Sequence, residues 1–149
     1  MKVERCLKEL FGSEMSRLYI IENEKIKFYS IEDNAWQYFP KDCGVISETF
    51  LKSKILCVKD CYNHPKFNDK IDLATTLPIL CRSGFNSKTN NPVIGIEIIN
   101  QKGIAGRSVF NRSSLDIVDE EILECFTKYI TVKYLYLSEY LILIKKDEK

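Results

Sequence analysis

Residues 42–68 read DCGVISETFLKSKILCVKDCYNHPKFN, followed by ILCRSG at 79–84, PVIGIEIINQKG at 92–103 and LDIVDEEILECF at 115–126. Asp42 stands where a helix N-cap is expected, ahead of Val45, Ile46, Thr49 and Phe50 on one face of a helix over 44–53. A short apolar strand is predicted over 54–58. The polar stretch 60–72, with Pro65, reads as a loop holding a helical turn near 68–73. Pro78 opens a strand over 77–82, residues 84–91 form a polar turn, and 93–100 is the most strand-like run of the chain. After a loop over 101–114, Asp116 caps the last helix, and Asp119, Glu120 and Glu121 suit its positive end.

Val3, Leu7, Leu10 and Phe11 recur at helical spacing, and Gly12 ends that run. Residues 18–21 and 25–31, split by the polar pair Asn23-Glu24, read as a β-hairpin. The stretch 33–42 is read as irregular, with Trp36, Tyr38 and Phe39 as aromatic cover and Pro40 as a break. In the last helix Ile122, Phe126, Tyr129, Tyr136, Tyr140 and Ile144 recur at three, four or seven, which carries it to about Leu143 before a solvated tail. The order is helix, two strands, helix, strand, loop, two strands, helix. It implies an α+β domain with a central antiparallel sheet and both terminal helices packed on one face.

The length of 149 residues fits one domain, taken as 1–145 with a polar tail at 146–149. Apolar residues make up 45% and charged residues 29%, enough for one core and a polar surface. The formal net charge of +1 argues against a nucleic-acid or membrane partner. Residues 1–11 carry charges throughout, and every apolar run falls short of the roughly 20 residues that span a bilayer. A cytoplasmic location is expected. The six cysteines lack a C-x-x-C pair, and His64 is the sole histidine, so buried inert thiols are favoured over disulfides or zinc. No metal and no cofactor are expected.

The blocks, in their order, resemble a GAF domain, and most closely those of cyclic-nucleotide phosphodiesterases. His64–Asn68 reads HPKFN and is similar to the family's D-P-R-F-N loop. Ile79-Leu80-Cys81 is similar to its I-L-C strand, and Gly44 to the first glycine of its G-I-A-G helix start, with Ser47 replacing the second. Asn100 matches an Asn closing the central strand. Gln101 stands in the place of its Lys partner, with Lys102 one position on; Leu115 stands for a Phe, and Asp119 and Glu120 match an acidic pair. The resemblance implies a non-catalytic regulatory domain in a signalling protein, with cAMP or cGMP as its ligand. It also carries over a ligand set: Asp72, Thr75, Thr76 and Glu97, with Phe28 or Tyr29 stacking on a base.

Several of these residues also have plainer readings. Asp72, Thr75 and Thr76 suit a capped turn facing water. Strand alternation sets Glu97 opposite Ile96 and Ile98, and a lone charge is costly to bury, so a solvent-facing Glu97 is favoured over one held in a pocket by a partner. His64 fits a loop-ordering role. The aromatic stripe of the last helix fits a core-facing surface that outruns its domain and pairs with a protein partner or a second copy. The alternative function is therefore a ligand-free docking or dimerising subunit. Behind both stands another branch of the fold, the free methionine-R-sulfoxide reductases, which use cysteine thiolates. The G-V-C-G and H-I-A-C-D blocks of that branch are missing here, and Cys43 precedes Gly44-Val45 instead of following it.

Overall fold

The computed structural model describes residues 2–13, 15–51, 55–75, 79–99 and 117–147. Helix α1 (Lys2–Phe11) leads into strands β1 (Ser16–Glu22), β2 (Lys25–Ser30) and β3 (Ala35–Pro40). A 3-10 helix (Val45–Phe50) and strand β4 (Leu56–Val58) follow, then β5 (Ile79–Phe85), β6 (Pro92–Ile99) and helix α2 (Ile117–Asp147). The strands form one sheet in the order β3-β2-β1-β6-β5-β4. Every neighbouring pair is antiparallel. The α+β architecture expected from the sequence is the one found.

Local chemistry accounts for the turns. Asn23 and Glu24 have φ of 51° and 59°, the left-handed pair that closes a two-residue hairpin with the twist of its strands. Strand β3 corrects the irregular reading of 33–42. Pro40 sits on the last residue of an edge strand, where its missing N–H costs no ladder bond. The helix expected over 44–53 is instead a six-residue 3-10 helix, and Asp42 does not cap it. Gly44, at φ 82°, occupies the cap position, and the Val45 N–H turns to the carboxylate of Asp72. Strand β5 runs on to Phe85, into the predicted turn, and α2 continues to Asp147, past the predicted end near Leu143.

Alternation divides the sheet into two unlike faces. On one, Leu18, Leu80, Ile94, Ile96 and Ile98 pack with Leu7 of α1 and Leu123 of α2, so both terminal helices cover the same face. Each of these side chains, fully buried, contributes about 1.5–3 kcal/mol. On the other face, Tyr19, Ile21, Ile26, Phe28, Ile79 and Cys81 meet the 3-10 helix and the segment 60–75, which supply Val45, Ile46, Phe50, Ile71 and Leu73. Gly95 admits this cover, because a Cβ there would lie 2.8 Å from Ile46 Cγ1. None of the cysteines is in a disulfide, but only Cys61 and Cys81 are buried. Cys6 and Cys125 are exposed, which corrects the expectation of buried thiols throughout. Among the described residues no helix is long and apolar enough to cross a membrane.

Candidate functional site

The segment-covered face holds an unusual row of polar side chains. Register places Arg17 of β1 and Cys81 of β5 on either side of Glu97 of β6, and alternation points all three inward. Tyr19, two residues beyond Arg17, shares that face and is fully buried. Glu97 is also fully buried, which corrects the solvent-facing placement favoured from sequence. The energetic objection to burying it is met by partners. Its Oε2 lies 2.6 Å from the Tyr19 hydroxyl and accepts the Leu73 N–H at 3.2 Å, and its Oε1 accepts from the Cys81 thiol at 3.9 Å.

Counting protons favours a protonated Glu97. The Tyr19 hydroxyl has one hydrogen but two oxygen neighbours, Glu97 Oε2 at 2.6 Å and the Ile71 carbonyl at 2.8 Å. A carbonyl only accepts, so both contacts are hydrogen bonds only if Glu97 brings a proton of its own. Burial pushes the Glu97 carboxyl well above the usual range, and the neighbouring Asp72 charge pushes the same way. Burial likewise raises the Tyr19 hydroxyl and the Cys81 thiol, with Glu97 adding to both. All three shifts favour the neutral form: a carboxylic acid, a phenol and a thiol.

Asp72 is 1% exposed and anchors the cover. Both its oxygens accept the Val45 N–H, at 2.9 and 3.0 Å, and Oδ2 also accepts the Asn68 N–H at 2.9 Å. One carboxylate thereby ties the 3-10 helix to the turn at 68–72. The Arg17 guanidinium donates to the Ile71 carbonyl and lies 4.3 Å from the centre of the Phe28 ring. Phe28 is also stacked on Phe39 at 5.9 Å and meets Tyr19 edge-on, so its ring contacts are made within the protein. Tyr29 sits at the opposite parity of β2, against Trp36 and Asn34, away from this interior.

Of the residues singled out from sequence, Phe28, Asp72 and Glu97 converge on the interior. Thr75 reaches its margin, where its carbonyl accepts from the Cys61 thiol at 2.9 Å. Thr76, Asn100, Gln101, Lys102 and Leu115 lie outside the described residues. Asp119 and Glu120 fall in the first turn of α2, and their side chains are outside the description. His64 faces Glu48, with Nε2 at 3.5 Å from its carboxylate, in keeping with a loop-ordering role. Tyr19 was not singled out from sequence. The available signal was the alternation of Arg17, Tyr19 and Ile21 in β1, matching that of Gly95, Glu97 and Ile99 in β6. Among the described residues no three His, Cys, Asp or Glu side chains are grouped to hold a metal.

No protein-family model matches the chain, and no curated protein matches it in sequence. Its fold, however, is shared with solved structures. One is the free methionine-R-sulfoxide reductase of Neisseria meningitidis in complex with its substrate. It has a TM-score of 0.61 and 15% identity, over 89% of this chain and 74% of that one. The type II free methionine-R-sulfoxide reductase of Thermoplasma acidophilum has a TM-score of 0.61 and 17% identity, over 87% and 85%. The GAF domain of A. aeolicus nlh2 in an inactive state has a TM-score of 0.52 and 17% identity, over 85% and 74%. The fold is therefore GAF-like. The narrower resemblance to cyclic-nucleotide phosphodiesterases is not supported. The expectation of a non-catalytic domain is overturned as well, because two of these structural neighbours are enzymes.

Proposed function

We propose that the chain binds a small zwitterion of free amino-acid type in the interior beneath residues 60–75. One observation carries this reading: the segment's own backbone fills the polar positions of the floor. The Ile71 carbonyl takes the hydrogen bonds of Arg17 and Tyr19, and the Leu73 N–H gives one to Glu97. A ligand carboxylate would replace the carbonyl on Arg17 and Tyr19. A ligand ammonium would replace the N–H at Glu97 and meet the charge of Asp72. Opposite charges on Arg17 and Asp72 complement a zwitterion better than a phosphodiester, which the Asp72 carboxylate would oppose. Segment and ligand compete for the same partners, so binding requires the segment to open.

Thermal melts with free amino acids, including methionine and its sulfoxide, test this directly. A ligand at one hundred times its Kd adds about 2.7 kcal/mol and raises the midpoint. Arg17→Met is expected to remove the shift. No shift with any amino acid, or an equal shift in Arg17→Met, would overturn the reading, and a shift with cAMP or cGMP instead would restore the nucleotide one.

A specific contact favours a second reading, reduction of a sulfoxide. The Cys81 thiol sits 3.9 Å from the Glu97 carboxyl, and Cys61 belongs to the same core. In such a reaction the two thiols are oxidised to one disulfide. The sulfoxide sulfur is reduced to a thioether, and its oxygen leaves as water with the two thiol protons. Glu97 is placed to protonate that oxygen, while opening of the segment would relieve the burial that keeps the Cys81 thiol protonated. Turnover of free methionine-R-sulfoxide with dithiothreitol, lost in Cys81→Ser, is the expected outcome. Absence of turnover in the native chain leaves the binding reading alone.

A further inference from the structure

On the opposite face, a groove of about 370 Å³ opens between α2 and the β5 end of the β5–β6 hairpin. Its volume falls within the range of small-molecule sites. Gly84 brings the two walls together, since a Cβ there would lie 1.9 Å from Thr131 Oγ1 and 3.2 Å from Thr127 Cγ2. The hydroxyls of Thr127 and Thr131 are turned back onto their own helix, to the carbonyls of Leu123 at 2.6 Å and Thr127 at 2.7 Å. Phe85, Val132 and Leu135 make the wall largely apolar.

At one end of this wall lies a charged group. Arg82 is 7% exposed, and among the described residues its guanidinium pairs with Glu124 Oε2 at 3.5 Å. That is long for a charge-assisted hydrogen bond. Glu124 is held more closely by Lys128, at 2.6 Å. Among the described residues two cations share this one carboxylate.

We propose that this groove binds a monocarboxylate with an apolar tail, the carboxylate bridging Arg82 and Lys128 and the tail lying along Val132 and Leu135. A single negative charge neutralises the cluster, and a buried guanidinium favours a forked anion over a hydroxyl. The site is separate from the interior beneath residues 60–75, on the other side of the sheet.

Octanoate is the probe, and backbone amide shifts at Gly84, Thr131 and Leu135 are the readout. Saturable shifts are expected, with octan-1-ol weaker by about tenfold for want of the charge-assisted bond. Lys128→Gln is expected to weaken octanoate by a similar factor. Arg82 is buried and its loss can disturb folding, so Val132→Glu at an exposed position supplies the second arm. Its carboxylate would take the place of the ligand's and abolish the shifts. Absence of saturable shifts, equal binding of octan-1-ol, or undiminished binding in Val132→Glu would each overturn the proposal.

Discussion

The two faces of the sheet are covered by different means and to different ends. The helix-covered face is closed by Leu7 and Leu123 on an aliphatic surface, and among the described residues its one buried charge is Arg82. The opposite face is closed by a six-residue 3-10 helix and a segment without regular structure, over Arg17, Tyr19, Cys81 and Glu97. Burying such groups is unfavourable unless each is partnered. Here the partners come from the cover itself, through Ile71, Leu73 and Asp72. A short 3-10 helix and a segment without regular structure open at lower cost than two long helices, although they also bury Val45, Ile46, Phe50, Ile71 and Leu73. The comparison teaches that stability and recognition are assigned to opposite sides of the same strands. Leu80 and Cys81, adjacent in β5, belong one to each.

The largest expected effect lies on the helix side. Leu80→Ala removes a fully buried side chain and should cost about 2–5 kcal/mol in denaturant unfolding. Cys81→Ala, one residue away, deletes only a thiol and should cost clearly less. An equal or larger loss at Cys81 would break the assignment of stability to the helix face. Next comes Asp72→Ala, which orphans the buried Val45 N–H and should cost about 1–3 kcal/mol. Its distinguishing sign is local. Amide exchange should rise across residues 60–75 while the strands β1, β5 and β6 keep their protection relative to one another. A uniform rise would mean that the segment does not open as a unit.

Much of this architecture was legible because period-2 and period-3.6 patterns are strong in the strands and terminal helices. Ile94, Ile96 and Ile98 announce a buried strand face, and the acids before Ile122 announce a helix start. Strand β3 was hidden because Trp36 and Tyr38 are exposed on an edge, where aromatic residues give no inward alternation. The 3-10 helix was misread because Asp42 and Val45–Phe50 satisfy a capping pattern that Gly44, at positive φ, does not permit. Glu97 was placed in solvent because a sequence shows the cost of burying a charge but not the partners that remove it. Tyr19 comes from β1 and Asp72 and Leu73 from the covering segment, and only the fold brings them to Glu97. Phe28 and Asp72 were found through a resemblance to a fold, which located the interior but not its chemistry.

A pH-dependent effect is the sharpest test of the polar face. The folded Glu97 carboxyl titrates well above its ordinary value, because burial and Asp72 disfavour its charge. An unfolded chain releases that proton near pH 4.3. Above that pH the native state therefore binds more protons than the unfolded state, and stability falls as pH rises. The contribution is fully present below the unfolded value and is lost as pH climbs through the folded one. Glu97→Gln keeps the shape and the neutrality but has no proton to lose. The difference in unfolding free energy between native chain and variant should then move in favour of the variant as pH rises above 5. Other titrating groups are common to both chains and cancel. A difference that stays flat between pH 5 and 8 would mean that Glu97 is already charged in the fold. The proton count at Tyr19 would then fail, and with it the neutral acid on which recognition beneath the segment depends.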